Sequence, residues 1–185
     1  PPLFYLLQRP LTALWGDSEA GLRLLPAACG VAAVAVLAAD GLRRRVPARL
    51  WSAAFLAIAP LAVFYARQSR SYGLMLLLAL IVMLANEAML SRGRRGAAIW
   101  LAVAGALLCL THHIGVVLLA ASLLAWPLRG PSSVSLRRWA VAHGAPLLVW
   151  AALWTASAAQ FETHTALNTW MAGYWQTRSL WLAPL

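Results

Sequence analysis

Six largely apolar runs follow one another along the chain, each bounded by a polar or arginine-containing break. They are Glu19–Ala39, Ala48–Tyr65, Ser71–Leu90, Ala97–Thr111, Ile114–Leu128 and Trp139–Ala158. A membrane-crossing helix needs about 20 mostly apolar residues, so each run is a candidate span. Composition agrees. Of the 185 residues, 62% are hydrophobic and 11% charged, against roughly 45–50% and 25% in a soluble domain. Mean hydropathy is +0.72. These values exclude a disordered chain, a coiled coil and an ordinary water-soluble domain. The expected fold class is all-α, a polytopic transmembrane bundle with about six spans over 19–158.

The net charge is +10, and all fifteen basic residues are arginine. Nucleic-acid binding needs a basic face on a soluble module. Here the arginines punctuate apolar runs, so no nucleic-acid partner is expected. Arginine in place of lysine, with the heavy alanine and leucine load, suggests a GC-rich bacterial genome and an inner (plasma) membrane location.

Charge also decides how Ala97–Leu128 is arranged. One continuous helix of that length would reach about 48 Å, too long for a ~30 Å hydrocarbon core. Arg92, Arg94 and Arg95 precede it, and Arg129, Arg137 and Arg138 follow. Two helices turning at Thr111-His112-His113-Ile114-Gly115 put both basic ends on one side. Each half would be about 22 Å long, which sets the turn below the outer membrane surface. Arg43, Arg44, Arg45 and Arg49 then share that side. Ten arginines fall inside; Arg9, Arg23, Arg67, Arg70 and Arg178 fall outside. The positive-inside rule fixes the orientation. Segments 1–16 and 159–185 are expected to be external, as are Ala66–Arg70 and Thr111–Ile114. Asp17-Ser18-Glu19 reads as a helix start, a capping side chain followed by an acid in the first turn. In the tail, Leu167, Trp170, Met171, Tyr174 and Trp175 recur at helical spacing, as in an interfacial amphipathic helix. Nothing divides 1–185 into separate domains. Both ends read as cut, so the chain is expected to be a piece of a longer membrane protein. Cys29 and Cys109 lie inside apolar runs and read as small buried hydrophobes.

The densest polar feature is Tyr65-Ala66-Arg67-Gln68-Ser69-Arg70-Ser71-Tyr72. Two arginines on the side where arginine is disfavoured, with Gln68, Tyr65 and Tyr72 around them, make a cationic hydrogen-bonding spot. Guanidinium presents a planar fork of donors suited to phosphate oxygens. The bland alternative is that both arginines snorkel to lipid headgroups. His112 and His113 could relay a proton, hydrogen-bond a sugar or contribute to a metal site, or simply contact headgroups; a pair alone falls short of a metal set. Arg23, one turn into the first span, is either part of this surface or an anchor. Glu87 should pair with the inner arginines, and His143 reads as structural. The outer acids are Asp17, Glu19 and Glu162, and the first two are explained by the helix start. No unassigned carboxylate pair is left to serve as a general base.

Taken in order, these features resemble the C-type membrane glycosyltransferases. The likeness is to dolichyl-phosphate-mannose-protein mannosyltransferases and their bacterial relatives. Pro1-Pro2-Leu3-Phe4-Tyr5-Leu6-Leu7 matches the end of a His-Pro-Pro-Leu-type outer loop. Gly16-Asp17-Ser18-Glu19 and Arg23-Leu24-Leu25 match a Gly-x-Ser-Glu-like turn and an early Arg-Leu. Gln68-Ser69-Arg70-Ser71-Tyr72 matches a Glu-x-Arg-x-Tyr-like core, with Gln68 where many relatives have Glu. Thr111-His112-His113 matches a later Thr-His turn. The resemblance implies a transferase moving a sugar from a polyprenyl-phosphate donor to a protein, lipid or glycan acceptor at the external face. It implies substrate binding by Arg70, Tyr72, Gln68, Arg67, Tyr65, His112, His113 and Arg23. It places the catalytic aspartate upstream of Pro1, points to no definite cofactor, and leaves a divalent cation open. The rival readings are a transporter or flippase of a lipid-linked substrate, and a non-catalytic membrane scaffold.

Overall fold

A computed structural model describes residues 2–16, 18–128 and 134–163. The described residues are mostly helical, with no strand among them. The helices are α1 (Leu3–Trp15), α2 (Glu19–Arg44), α3 (Pro47–Ile58), α4 (Pro60–Ala66), α5 (Tyr72–Arg92), α6 (Arg95–Thr111), α7 (Gly115–Leu128) and α8 (Leu136–Thr163). The chain separates into two compact units, Pro1–Trp150 and Ala151–Leu185. In the second, the described part is the end of α8, where the Thr155 hydroxyl donates to the Ala152 carbonyl at 3.0 Å.

Among the described residues, three helices are long and apolar enough to cross a membrane: Glu19–Arg44, Tyr72–Arg92 and the Leu136–Ser157 part of α8. The run expected as one span over Ala48–Tyr65 is broken. Ala59 is extended at ψ 119°, Pro60 opens α4, and the two pieces meet at 60°. The cause is local, since the proline ring pushes the preceding residue out of the helical region. Counted as one bent span, this pair makes a fourth. α6 and α7 are shorter apolar helices. The apolar helices suggest membrane integration. Their exposed large side chains, such as Phe55, Ile58, Ile99 and Val117, suit a hydrocarbon surround.

The turn between α6 and α7 stands where the arginine pattern puts it. His112 ends α6 in an extended conformation, φ −160° and ψ 138°, and α7 begins at Gly115. A Cβ at Gly115 would sit 2.8 Å from Leu108, so the hairpin closes only because that side chain is absent. The expected start of α2 is also present: the Ser18 hydroxyl accepts from the Gly21 amide at 3.2 Å. Segment 1–16, expected as an external stretch, folds as α1. It buries Phe4 and Gln8, and Gln8 Nε2 donates to the Gly21 carbonyl at 3.2 Å. The tail helix expected around Trp170 and Trp175 lies outside the described residues.

α5 is the central element. It packs against α2, α4, α6 and α7, and two buried clusters run along it. One joins Leu74, Leu78 and Val82 to Cys29, Ala104, Leu108, Cys109 and Leu119; the other joins Ala85, Ala88 and Met89 to Ala97, Leu101, Val134 and Ala142. Where α2 and α5 cross, a Cβ at Gly73 would lie 2.5 Å from the Pro26 carbonyl oxygen. Small residues at such crossings let backbones approach and gain van der Waals contact.

Candidate functional site

Glu19 and Asp40 are twenty-one residues apart on α2, so they lie about 32 Å apart along its axis. Each end of that helix carries its own polar assembly.

At the first end, α4 stops at Ala66. The Arg67 amide donates to the Val63 and Phe64 carbonyls, both at 3.2 Å. The chain bends through Gln68, Ser69 and Arg70, where the Arg70 amide donates to the Gln68 carbonyl at 2.7 Å. α5 begins at Tyr72, and the Met75 amide closes its first turn on Ser71. This tight link holds Arg67 and Arg70 exposed, with Gln68 and Tyr72 half-buried beside them.

Two clefts meet at the link. One, of about 470 Å³, is lined by Glu19, Leu22, Arg23, Arg67, Gln68, Ser69 and Arg70. The other, of about 410 Å³, is lined by Tyr5, Ser69, Arg70, Ser71, Tyr72, Thr111 and His112. Ser69 and Arg70 belong to both. Arg23 pairs with Glu19 one helical turn away, so its position on α2 has a local electrostatic cause besides any ligand. Among the described residues, no carboxylate pairs with Arg67 or Arg70. Three guanidinium groups against one carboxylate leave this surface with a surplus of two positive charges.

An aromatic stack backs the second cleft. Tyr65 and Tyr72 have ring centroids 4.6 Å apart, and Tyr72 and His112 have theirs 6.0 Å apart. His112 Nδ1 accepts the Ile114 amide at 3.1 Å. The neutral imidazole then carries its proton on Nε2, as a hydrogen-bond donor. Burial pushes the His113 imidazole below its ordinary range.

The fold therefore brings Arg23, Arg67, Gln68, Arg70, Tyr72 and His112 to one surface. His113 lines neither cleft, and Tyr65 reaches the site only through Tyr72. Tyr5, from α1, joins the second cleft; sequence reasoning missed it because 1–16 reads as an external stretch, although Leu3, Leu7, Leu11 and Leu14 recur there at helical spacing. Among the described residues, no three His, Cys, Asp or Glu side chains gather in a way that could hold a metal. A third groove, of about 420 Å³, starts at Arg67 and runs along apolar side chains of α2, α3, α4 and α5. Gly30, Val31, Val34, Leu56 and Val63 are among its walls.

At the other end, Asp40 gathers the arginines. It is 5% exposed, accepts a hydrogen bond from Arg43 at 3.2 Å, and forms ion pairs with Arg44, whose Nε lies 2.8 Å away, and with Arg49. Glu87 pairs with Arg44 at 3.4 Å and with Arg49, as its placement near the arginines predicts. Sequence reading passed over Asp40. An acid closing an apolar run, three and four residues before two arginines, was the available signal. His143 is buried, as expected, and holds a polar node: Nδ1 lies 3.0 Å from the Trp139 carbonyl and Nε2 3.0 Å from the Ser122 hydroxyl. Asn86 Nδ2 donates to the Ser122 carbonyl at 3.1 Å.

No family model, curated protein or solved structure matches this chain.

Proposed function

We propose that the chain is the donor-binding part of a membrane glycosyltransferase that moves a sugar from a polyprenyl-phosphate donor to an acceptor hydroxyl at the external face. The observation that carries this reading is the convergence of Arg67 and Arg70, without carboxylate partners among the described residues, on a surface where an apolar groove begins. A donor of this class needs both chemistries at one place, an anion site and a channel for a hydrocarbon tail. The phosphate would sit against Arg70 and Arg67, with Gln68 and Tyr72 able to donate to the same oxygens. The prenyl chain would follow the groove between α2 and α4.

In the proposed reaction, a carboxylate from upstream of Pro1 takes the acceptor proton. The acceptor oxygen forms a bond to the anomeric carbon as that carbon's bond to the phosphate oxygen breaks. The leaving group is the polyprenyl phosphate, and it gains negative charge as it departs. Arginine forks held against that oxygen stabilise the transition state more than the ground state. No role for a divalent cation is needed in the steps assigned to these residues.

A transporter would gather its polar groups near mid-bilayer. Asn86, Ser122 and His143 do form a buried polar node, but none of them lines either cleft at the α4–α5 link. The deciding experiment uses the purified intact protein with a polyprenyl-phosphate sugar and hydroxyl acceptors. Transfer of the sugar supports the reading. Movement of the donor between liposome leaflets without transfer contradicts it and favours a flippase.

A further inference from the structure

We propose that the arginine-rich ends of α2, α5 and α6 hold an anionic phospholipid, its phosphate at Arg43, Arg94 and Arg95 and one acyl chain in the trough beside them. A cleft of about 780 Å³ opens there. Its apolar wall includes the small side chains of Ala39, Ala85 and Ala88. A Cβ at Gly96 would meet nothing within 4 Å.

Four arginines line the cleft, Arg43, Arg44, Arg94 and Arg95, against the single carboxylate of Asp40. Arg43 pairs with Asp40 at 3.2 Å, so the unpaired charge of the cleft rests on Arg94 and Arg95. Arg44 is 7% exposed and shared between Asp40 and Glu87, so it is neutralised inside the protein. Arg94 and Arg95 are exposed and, among the described residues, pair with no carboxylate. Trp100, 63% exposed on α6, adds an aromatic side chain to the rim, the residue type favoured at headgroup depth. Charge complementarity names an anion. The apolar trough running on from the arginines names one with a hydrocarbon tail, because a free phosphate would leave that trough empty. Basic pockets between spans are where anionic headgroups settle. The inference does not depend on the proposed transferase reaction, and it holds for whichever leaflet this end faces.

The test is native mass spectrometry of the purified intact protein in micelles holding equal phosphatidylglycerol and phosphatidylcholine. Phosphatidylglycerol adducts should dominate. Each arginine near the surface is worth about fivefold in affinity, so Arg94→Gln with Arg95→Gln should cost about 25-fold. Ala39→Trp, which leaves every charge in place but fills the trough, should weaken binding too. Arg137→Gln, outside the cleft, should change nothing. Equal binding of phosphatidylcholine would overturn the proposal. So would a loss in Arg137→Gln as large as in the double variant, which would signal diffuse attraction. Unchanged binding in Ala39→Trp, with inorganic phosphate displacing the lipid, would also overturn it and leave only an anion patch.

Discussion

Asp40 is nearly inaccessible and faces three guanidinium groups, so its charge is set against partners rather than water. An ionised carboxylate in that position is tolerable only while the pairs persist. Asp40→Asn should therefore cost about 3 kcal/mol or more, because it leaves Arg44 and Arg49 buried with Glu87 as their remaining acid. Glu87→Gln should cost less, since Glu87 is 38% exposed and water can replace part of what is lost. Thermal unfolding of the two variants in detergent checks the ranking. A second side chain, His113, has its imidazole held below the ordinary value of 6.5 by burial. A histidine whose folded pKa is lowered contributes stability above the unfolded pKa, and that contribution is lost as pH falls through the folded one. The melting temperature of the wild type should fall on acidification below that range. His113→Gln should fall less, and equal pH profiles would contradict the assignment.

Helices in this chain are positioned by what they lack as much as by what they bury. At the α2–α5 crossing, Gly73 has the Pro26 carbonyl where a Cβ would be. Gly73→Ala should destabilise by about 1–3 kcal/mol through overpacking, since backbone is the obstacle. Gly96→Ala meets open space and should be neutral or stabilising by up to about 1 kcal/mol, as alanine is the better helix former. Unfolding midpoints of the two variants, read side by side, separate the cases. The same elements show what could be read in advance. The α6–α7 turn was legible because two independent signals agreed: a polar interruption at Thr111–Gly115 and arginines on both flanks. The α3–α4 break was not, because an apolar run reads alike whether straight or bent, and a proline two-thirds of the way along it fits a kink or a full break. α1 was missed although Leu3, Leu7, Leu11 and Leu14 recur at helical spacing; its docking, through Phe4 and the Gln8–Gly21 hydrogen bond, is a fact of three-dimensional placement. At the α4–α5 link the sequence singled out residues that the fold brings to one surface. It could not say that Arg70 belongs to two clefts, or that Arg23 pairs with Glu19, because both are facts of three-dimensional placement.

Across the first unit, the arginine-rich assembly around Asp40 and the cationic clefts around Arg70 lie at opposite ends of α2. That separation makes orientation testable with single cysteines in a background lacking Cys29 and Cys109. Ser69 and Ser91 are both exposed and lie at the two ends of the α5 region. In intact cells, a membrane-impermeant maleimide should label Ser69→Cys and spare Ser91→Cys. The reverse pattern would place the arginine clusters outside and the clefts inside.

The donor-binding reading rests most heavily on Arg70, which lines both clefts and has no carboxylate partner among the described residues. Arg70→Lys keeps the charge and loses the fork. The direct measurement is sugar transfer from a polyprenyl-phosphate donor by the purified intact protein, wild type beside Arg70→Lys and Arg70→Ala. Turnover should drop by roughly 10²–10³ in Arg70→Lys, the usual cost of removing one transition-state donor, with expression and insertion unchanged. Arg67→Lys should be milder, since Arg67 lines only the first of the two clefts. Near wild-type turnover in Arg70→Ala would contradict the account and leave the link as an anchor to lipid headgroups.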